Sequence, residues 1–375
     1  MSANMMLIRN DSLSSSSLQY RNNVDSDVAY RKVVEIIVCV AFPIIIGVGL
    51  TGNAVGMASF LRVAGLRYRG IGHLLVAICA SDAIFLINLL PMWLGHQNSD
   101  GWCELLSLTT MSSNFLSTWF IVALGVERYV AVLHCRRHAL AVTCRVNPKA
   151  TTTRTSYGRT RTRVAIVALT VLAIVVFVNM VVNIGAVKDR DGVEHCGPLQ
   201  PAVDAMHVLS NIDLVINVIA PNLIITGLYT AVGVRLAVWH CRRSRAISRL
   251  APPRCSGVDD RAVSLTEIRL TKTAVLLSAV VVLLSAPSHA VRTTYVVVEV
   301  FRIPVPALIG SSAVQLVVRE LFYASFAVPF FVVVASHSRI RRSILLSVQL
   351  ALESIWKRLQ VAWYGCSWQT SSLTT

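Results

Sequence analysis

Charge is what this sequence has least of. Only 14% of its 375 residues are charged, against 54% hydrophobic, and mean hydropathy is +0.62. A soluble globular domain carries about 25% charged residues, so a soluble carrier or enzyme is excluded and an integral membrane chain is implied. Other absences narrow the class. The first 30 residues are polar and hold no apolar h-region, so no secretory signal is read there and the first span is expected to act as its own insertion signal. No HExxH, nucleophile elbow or Cys/His metal cluster falls on any apolar segment, which makes an enzyme the poorest reading. No soluble domain, internal repeat or catalytic insert interrupts the chain. The nine cysteines do not form a disulfide framework, because most lie in apolar segments or basic connections.

What is present is a series of seven apolar segments, Ile36 to Phe60, Leu74 to Leu94, Cys103 to Val132, Val164 to Ala186, Val208 to Val238, Leu270 to Val298 and Leu308 to Ala335. Each is long enough to span a bilayer as a helix. The net charge of +16 does not point to nucleic acid, because the bases fall in alternate connections. Arg62, Arg67 and Arg69 occupy the first, Arg136, Arg145, Lys149, Arg154 and Arg163 the third, Arg242, Arg245, Arg249 and Arg261 the fifth, and Arg339, Arg341, Arg342 and Lys357 the tail. By the positive-inside rule these regions are cytoplasmic and the N-terminus is outside, with part of the charge free to touch anionic lipid. The expected organisation is an extracellular tail over 1–35, a seven-helix bundle over 36–335 and a cytoplasmic helix and tail over 336–375. From Arg339 to Glu353 basic and apolar residues alternate at helical spacing, as in a short helix lying on the inner leaflet.

The outside topology makes Asn10-Asp11-Ser12 a glycosylation acceptor and leaves two cysteines outside, Cys103 and Cys196. A bridge between them would pin the fourth-to-fifth connection over the bundle. Cys366 in the tail is either an acylation site or a plain cytosolic thiol. The polar, basic stretches from His134 to Thr162 and from Cys241 to Thr266 read as disordered loops.

The third apolar segment carries no charge from Leu105 to Val126 and then ends in Glu127-Arg128-Tyr129. A charged pair at a membrane helix end is costly unless it is paired or used. Arg128 follows Cys103 by 25 residues, about 37 Å of helix. Gly52-Asn53 in the first segment, Leu75 to Asp82 in the second, Pro221 with Tyr229 in the fifth and Pro287 in the sixth complete an ordered set. Together these resemble the rhodopsin-like (class A) G-protein-coupled receptors, over nearly the whole chain. Leu284-Ser285-Ala286-Pro287-Ser288-His289-Ala290 and Ser117-Thr118-Trp119 further resemble invertebrate neuropeptide receptors.

The resemblance implies an extracellular ligand, a heterotrimeric G protein as partner, and arrestin and a receptor kinase beyond it. It assigns Arg128 two acidic partners, Glu127 and Glu267, the latter 20 residues before Pro287 on the sixth helix. Breaking the cross-helix pair would free the sixth helix to pivot at Pro287, and Tyr229 would then meet Arg128. The alternative is a static ion pair. Asp82, an acid within a span, needs interior partners. The resemblance names Asn53 and Ser117, either as a sodium site or as a plain hydrogen-bond network.

Thr110 stands where amine receptors carry an acid, so an aminergic ligand is not expected. Ligand-pocket candidates are Thr110, Asn114, Asp213, His289, Arg292, Gln315, Arg319 and Glu320. Arg319 and Glu320 are adjacent and point about 100° apart, so they are not expected to neutralise each other readily. One acid is expected to bridge helices while an arginine faces the cavity, a mixed-charge vestibule suited to a peptide. Structural pairing of these residues is the competing account. The chain departs from the resemblance at Ser285, where a tryptophan is usual, and at Phe326-Ala327-Val328-Pro329-Phe330-Phe331, where Asn-Pro-x-x-Tyr is usual. Those departures favour a second reading, a non-signalling decoy with the same bundle. A third, a small transporter or channel, lacks paired broken helices.

Overall fold

The computed structural model describes residues 36–62, 70–94, 102–141, 148–188, 194–199, 203–247, 258–302, 307–336 and scattered positions between 341 and 357. Six helices are long and apolar enough to cross a bilayer, at Cys39–Arg62, Gly70–Pro91, Trp102–Leu133, Gly158–Val178, Val208–Arg235 and Ile268–Val298. A bent pair, Ala313–Ala327 and Pro329–Ser336, makes a seventh span with 49° between its halves. The chain is therefore an all-α seven-span bundle, as its apolar runs require. Hydrocarbon offers backbone N–H and C=O groups no partners, so each run must satisfy them within itself. Hydroxyls inside the spans fold back on carbonyls one turn earlier, Thr51 on Gly47 and Ser81 on Ala77 among them.

Among the described residues the first span opens with a π-helical turn, Ile37–Ala41, and two further spans are irregular close to a proline. Pro329 has no N–H to give the Ser325 carbonyl, so the ladder is interrupted and the seventh span bends. In the fifth span a π-helical turn, Val215–Ile219, precedes Pro221, with the Ala220 N–H reaching back to the Val215 carbonyl. Asn222 then donates its side-chain amide to the Val218 carbonyl one turn earlier at 2.7 Å. Pro287 sits inside the sixth helix, Val258–Phe301, without ending it.

The structure corrects several expectations. The third helix runs to Ala141 and the fourth begins at Pro148, so Thr151-Thr152-Thr153-Arg154-Thr155 is helical rather than disordered. Each extension adds one hydrogen bond per residue to a helix already nucleated in the apolar span, and Pro148 suits a first helical turn. Likewise the fifth helix continues to Ile247 and the sixth starts at Val258, which shortens the second basic loop. The fourth helix ends at Val181, and Ile184–Lys188 instead pairs antiparallel with Glu194–Pro198. Asn10, Cys366 and most of the expected membrane-surface helix lie outside the described residues, although Arg341, Arg342, Glu353 and Trp356 are helical.

The third span sits between the second, fourth, fifth and sixth. Towards the end bearing Arg128 the core contains Phe60, Leu74, Ile78, Phe120, Leu124 and Leu277. Towards the other end Phe42, Phe85, Leu89 and Phe326 knit the first, second and seventh spans. Gly49 lets the first span approach closely. A Cβ there would stand 2.5 Å from Leu86 Cδ1 and 2.9 Å from Ala327 Cβ, the small-residue contact that membrane helices use. The fourth span shows Val164, Val167, Val171, Ile174 and Val175 outward, an apolar face suited to lipid.

Candidate functional site

At one end of the bundle the tripeptide is built into a junction of helices. Arg128 is only 3% exposed, and its Nη2 lies 3.0 Å from Glu127 Oε1 on the preceding residue. The carboxylate of Glu127 is held where the second and fourth helices converge. A Cβ on Gly70 would stand 3.2 Å from Glu127 Oε1 and 2.4 Å from Thr162 Oγ1, so the approach is open only to glycine. Tyr129 turns the other way. Its hydroxyl takes a hydrogen bond from Arg235 Nη2 at 3.3 Å, and that guanidinium also lies over its ring, 5.2 Å from the centroid.

Tyr229 of the fifth span lies over Gly125, one turn before Arg128, and accepts a 2.8 Å hydrogen bond from Ser278 on the sixth helix. Third, fifth and sixth helices thus meet through one phenol. Glu267 belongs to the sixth helix, but its side chain lies outside the described residues.

In the middle, Asp82 is fully buried and takes a 2.5 Å hydrogen bond from Ser117 Oγ. Asn53 does not complete the triad. Its Nδ2 donates to the Phe326 carbonyl at 3.0 Å, next to the break that Pro329 makes in the seventh span. A carbonyl beside an interrupted helical turn needs a donor, and the first span supplies it. Asp82 Oδ2 and Asn53 Oδ1 are both buried without a hydrogen-bond partner among the described residues. Leftover oxygen acceptors, one of them on a carboxyl group, match the donor chemistry a hard cation takes.

Above this network a cavity of about 30 Å³ is lined by Asn114, Ser117, Asn222, Ser285, His289 and Ser325, with Phe322 and Phe326. That is room for about two waters. Of the pocket candidates it collects Asn114 and His289 and none of the others, and it also takes in Ser117 from the Asp82 network. Arg292, one of the two arginines from which a cavity-facing one was expected, turns onto the fifth span. It gives Nη2 to Asp213 Oδ2 at 2.6 Å and to the Ser210 carbonyl at 3.1 Å, while Asn217 donates to the other Asp213 oxygen. Asp213 is the bridging acid, and its pair is satisfied.

Gln315 binds Tyr295 Oη at 2.8 Å and the Ile309 carbonyl at 3.2 Å, stapling the sixth-to-seventh connection. Thr110 is half-buried and outside the cavity lining, its carbonyl taken by Ser113. Arg319 Nε stands 3.8 Å from Glu320 Oε1, closer than their 100° divergence suggests yet beyond hydrogen-bond reach. Cys103 and Cys196 are bridged with Cα atoms 5.6 Å apart, which ties the hairpin to the start of the third span. Sequence reasoning missed Gly70, Thr162, Arg235, Ser278, Tyr295 and Asn217. The one advance signal was Arg235, a lone base near the end of an apolar run.

Seven spans, a bridged hairpin at one end and a buried arginine junction at the other fit a G-protein-coupled receptor. No family model matches the chain. Over 122 residues it is 26% identical to the galanin-like G-protein coupled receptor npr-9 of Caenorhabditis elegans, a match covering 31% of this chain and 28% of that relative. Spans and similarity together are consistent with a multi-pass protein of the plasma membrane.

Proposed function

We propose that the chain is a rhodopsin-like cell-surface receptor that binds an extracellular ligand and activates a heterotrimeric G protein by opening a cleft at the Arg128 end. The observation that carries this reading is the junction itself. Arg128 is buried against Glu127, with Tyr229 one turn away and bonded to Ser278 of the sixth helix. A buried arginine at the end of a span is costly unless it is paired or used, so one held beside a partly exposed acid where helices converge favours a switch. Release of Tyr229 from Ser278 would free the sixth helix to move about Pro287 and let the phenol turn to Arg128. Glu267 is the acid proposed to hold that helix shut.

A peptide ligand is supported by the galanin-like description of the relative. Asp82, Asn53 and Ser117 would hold a sodium ion that compensates the buried carboxylate. In this reading the N-terminus is outside with Asn10 glycosylated, Cys366 is an acylation site or a plain thiol, the basic tail lies against lipid, and arrestin and a receptor kinase are later partners. No enzymatic step is assigned. The decoy reading is favoured by the seventh span, where no tyrosine follows Pro329 to link the Asp82 network to the Arg128 end.

Nucleotide exchange on several purified G-protein classes, challenged with a peptide library, tests the proposal. Arg128→Ala is expected to abolish exchange at unchanged surface delivery, and Glu267→Ala to raise ligand-independent exchange. If neither variant changes signalling and no G protein is recruited, the decoy reading replaces it.

A further inference from the structure

Two arginines at the start of the fourth span have no acid to balance them. Arg163 is exposed, and Arg159, four residues earlier and so on the same helix face, is half-buried. Neither pairs with an acidic side chain among the described residues. Arg163 instead points its guanidinium at His73 of the second span, with Nη2 and Nε 3.2 and 3.4 Å from the ring Nε2. Glu127, whose carboxylate lies near Gly70 and Thr162, is held by Arg128.

Beyond this contact both helices carry apolar stripes that face out of the bundle. On the second span His73, Ala77, Ala80, Ile84 and Ile87 recur at steps of three and four, and Ile84 and Ile87 are 46% and 51% exposed. On the fourth, Arg163, Val167, Thr170 and Ile174 recur in the same way, with Val167 62% and Ile174 52% exposed. Both helices leave the Arg128 end, at Gly70 and Thr162, so the two stripes rise in the same direction from the point where His73 meets Arg163. The third span packs on both helices and forms the floor. Ala77 and Ala80 keep the second-span wall low. The result is a furrow open to hydrocarbon, apolar along its length and cationic at one end.

A guanidinium without a counter-charge beside hydrocarbon is costly, and phosphate oxygens are acceptors that its planar fork matches. A lipid phosphate arrives with acyl chains, for which the furrow offers an apolar bed. A free phosphate would leave that furrow unused. We infer that the furrow between the second and fourth spans seats one anionic phospholipid, its phosphate on Arg159 and Arg163 and an acyl chain along Ala77, Ile84, Val167 and Ile174. His73 is the positioning residue that turns Arg163 to the headgroup. The site needs only the spans, so its failure leaves the receptor reading standing.

The test uses the purified full-length chain in detergent and its apparent unfolding temperature, with dioctanoyl phosphatidic acid, dioctanoyl phosphatidylcholine and inorganic phosphate as probes. Bound lipid stabilises the folded chain by mass action, so phosphatidic acid at micromolar concentration is expected to raise that temperature by a few degrees. Phosphatidylcholine, whose choline cancels the charge, and inorganic phosphate, which has no chain, should each do less than half as much. Arg159→Gln/Arg163→Gln should lose the phosphatidic acid effect. Arg269→Gln/Lys272→Gln, the same charge change on exposed residues of the sixth helix, should keep it. Without lipid both double variants should unfold with the wild type. His73→Ala should reduce the lipid shift, again with no change in the lipid-free unfolding temperature. The inference is overturned if phosphatidic acid does not shift the wild type, if either other probe matches it, or if the two double variants respond alike.

Discussion

Gly70→Ala is a change of one methyl group whose cost follows from the geometry at the Arg128 junction. The new Cβ would stand 2.4 Å from Thr162 Oγ1 and 3.2 Å from Glu127 Oε1. Ordinary carbon contacts lie near 3.5 Å or beyond, so the overlap with the hydroxyl is about 1 Å. The hydroxyl cannot swing aside without loss, because it donates to the Gly158 carbonyl at 3.0 Å. Thr162 is itself buried and its helix is packed on the second and third spans, so the second helix has to move. Over-packing of this kind costs about 1–3 kcal/mol. Removing the obstacle should return part of that. Thr162→Ala deletes Oγ1 but leaves its Cβ, which is 3.3 Å from the new methyl, so the double variant Gly70→Ala/Thr162→Ala should recover most but not all of the loss. The assay is thermal inactivation of the purified protein in detergent, followed by a thiol-reactive dye on buried Cys79. If Gly70→Ala matches wild type, or if Thr162→Ala fails to rescue it, the close approach of the second and fourth helices at Glu127 is wrong.

The Arg292 and Asp213 pair should be energetically coupled, by about 1–2 kcal/mol in a double-mutant cycle with alanine read by the same inactivation assay. Coupling within a few tenths of a kcal/mol of zero would mean that the pair is only a surface contact. Asn53→Ala leaves the Phe326 carbonyl without its side-chain donor and should cost about 1–3 kcal/mol. Hydrogen exchange of amides around Pro329 should rise selectively in that variant, and unchanged protection there would refute the assignment.

How far the sequence alone could be read depended on the range of the interaction. Spans were legible because roughly 20 uncharged residues in water-free surroundings have one solution. Pro329 was visible as a departure, but its bend and the rescue of the Phe326 carbonyl by Asn53 depend on a neighbour 273 positions away. Arg292 and Asp213 were both named, yet not as partners, since 79 positions separate them and Arg319 or Glu320 offered equal alternatives. The helical extensions were misread for a different reason. Thr and Arg in Thr151 to Thr155 have loop-like composition, and only the adjoining span decides their conformation. The strand at Ile184 was hidden because its apolar residues continue the fourth run without a break. Gly70 gave no signal, as a glycine at the start of a span looks like a linker residue.

The sixth helix has 44 residues, about 66 Å of rod against a hydrocarbon core of about 30 Å. From Pro287 back to Val258 is about 44 Å, so a tilt of about 10° at the proline would sweep the far tip by about 8 Å. If Pro287 is the pivot proposed above, the helix is a long lever with its fulcrum well inside the bundle. Sub-ångström rearrangement near His289, two residues beyond that fulcrum, is multiplied many-fold where the helix meets its surroundings. A pivot there would have a mechanical gain set by helix length, which shortening the Val258 end would reduce in proportion.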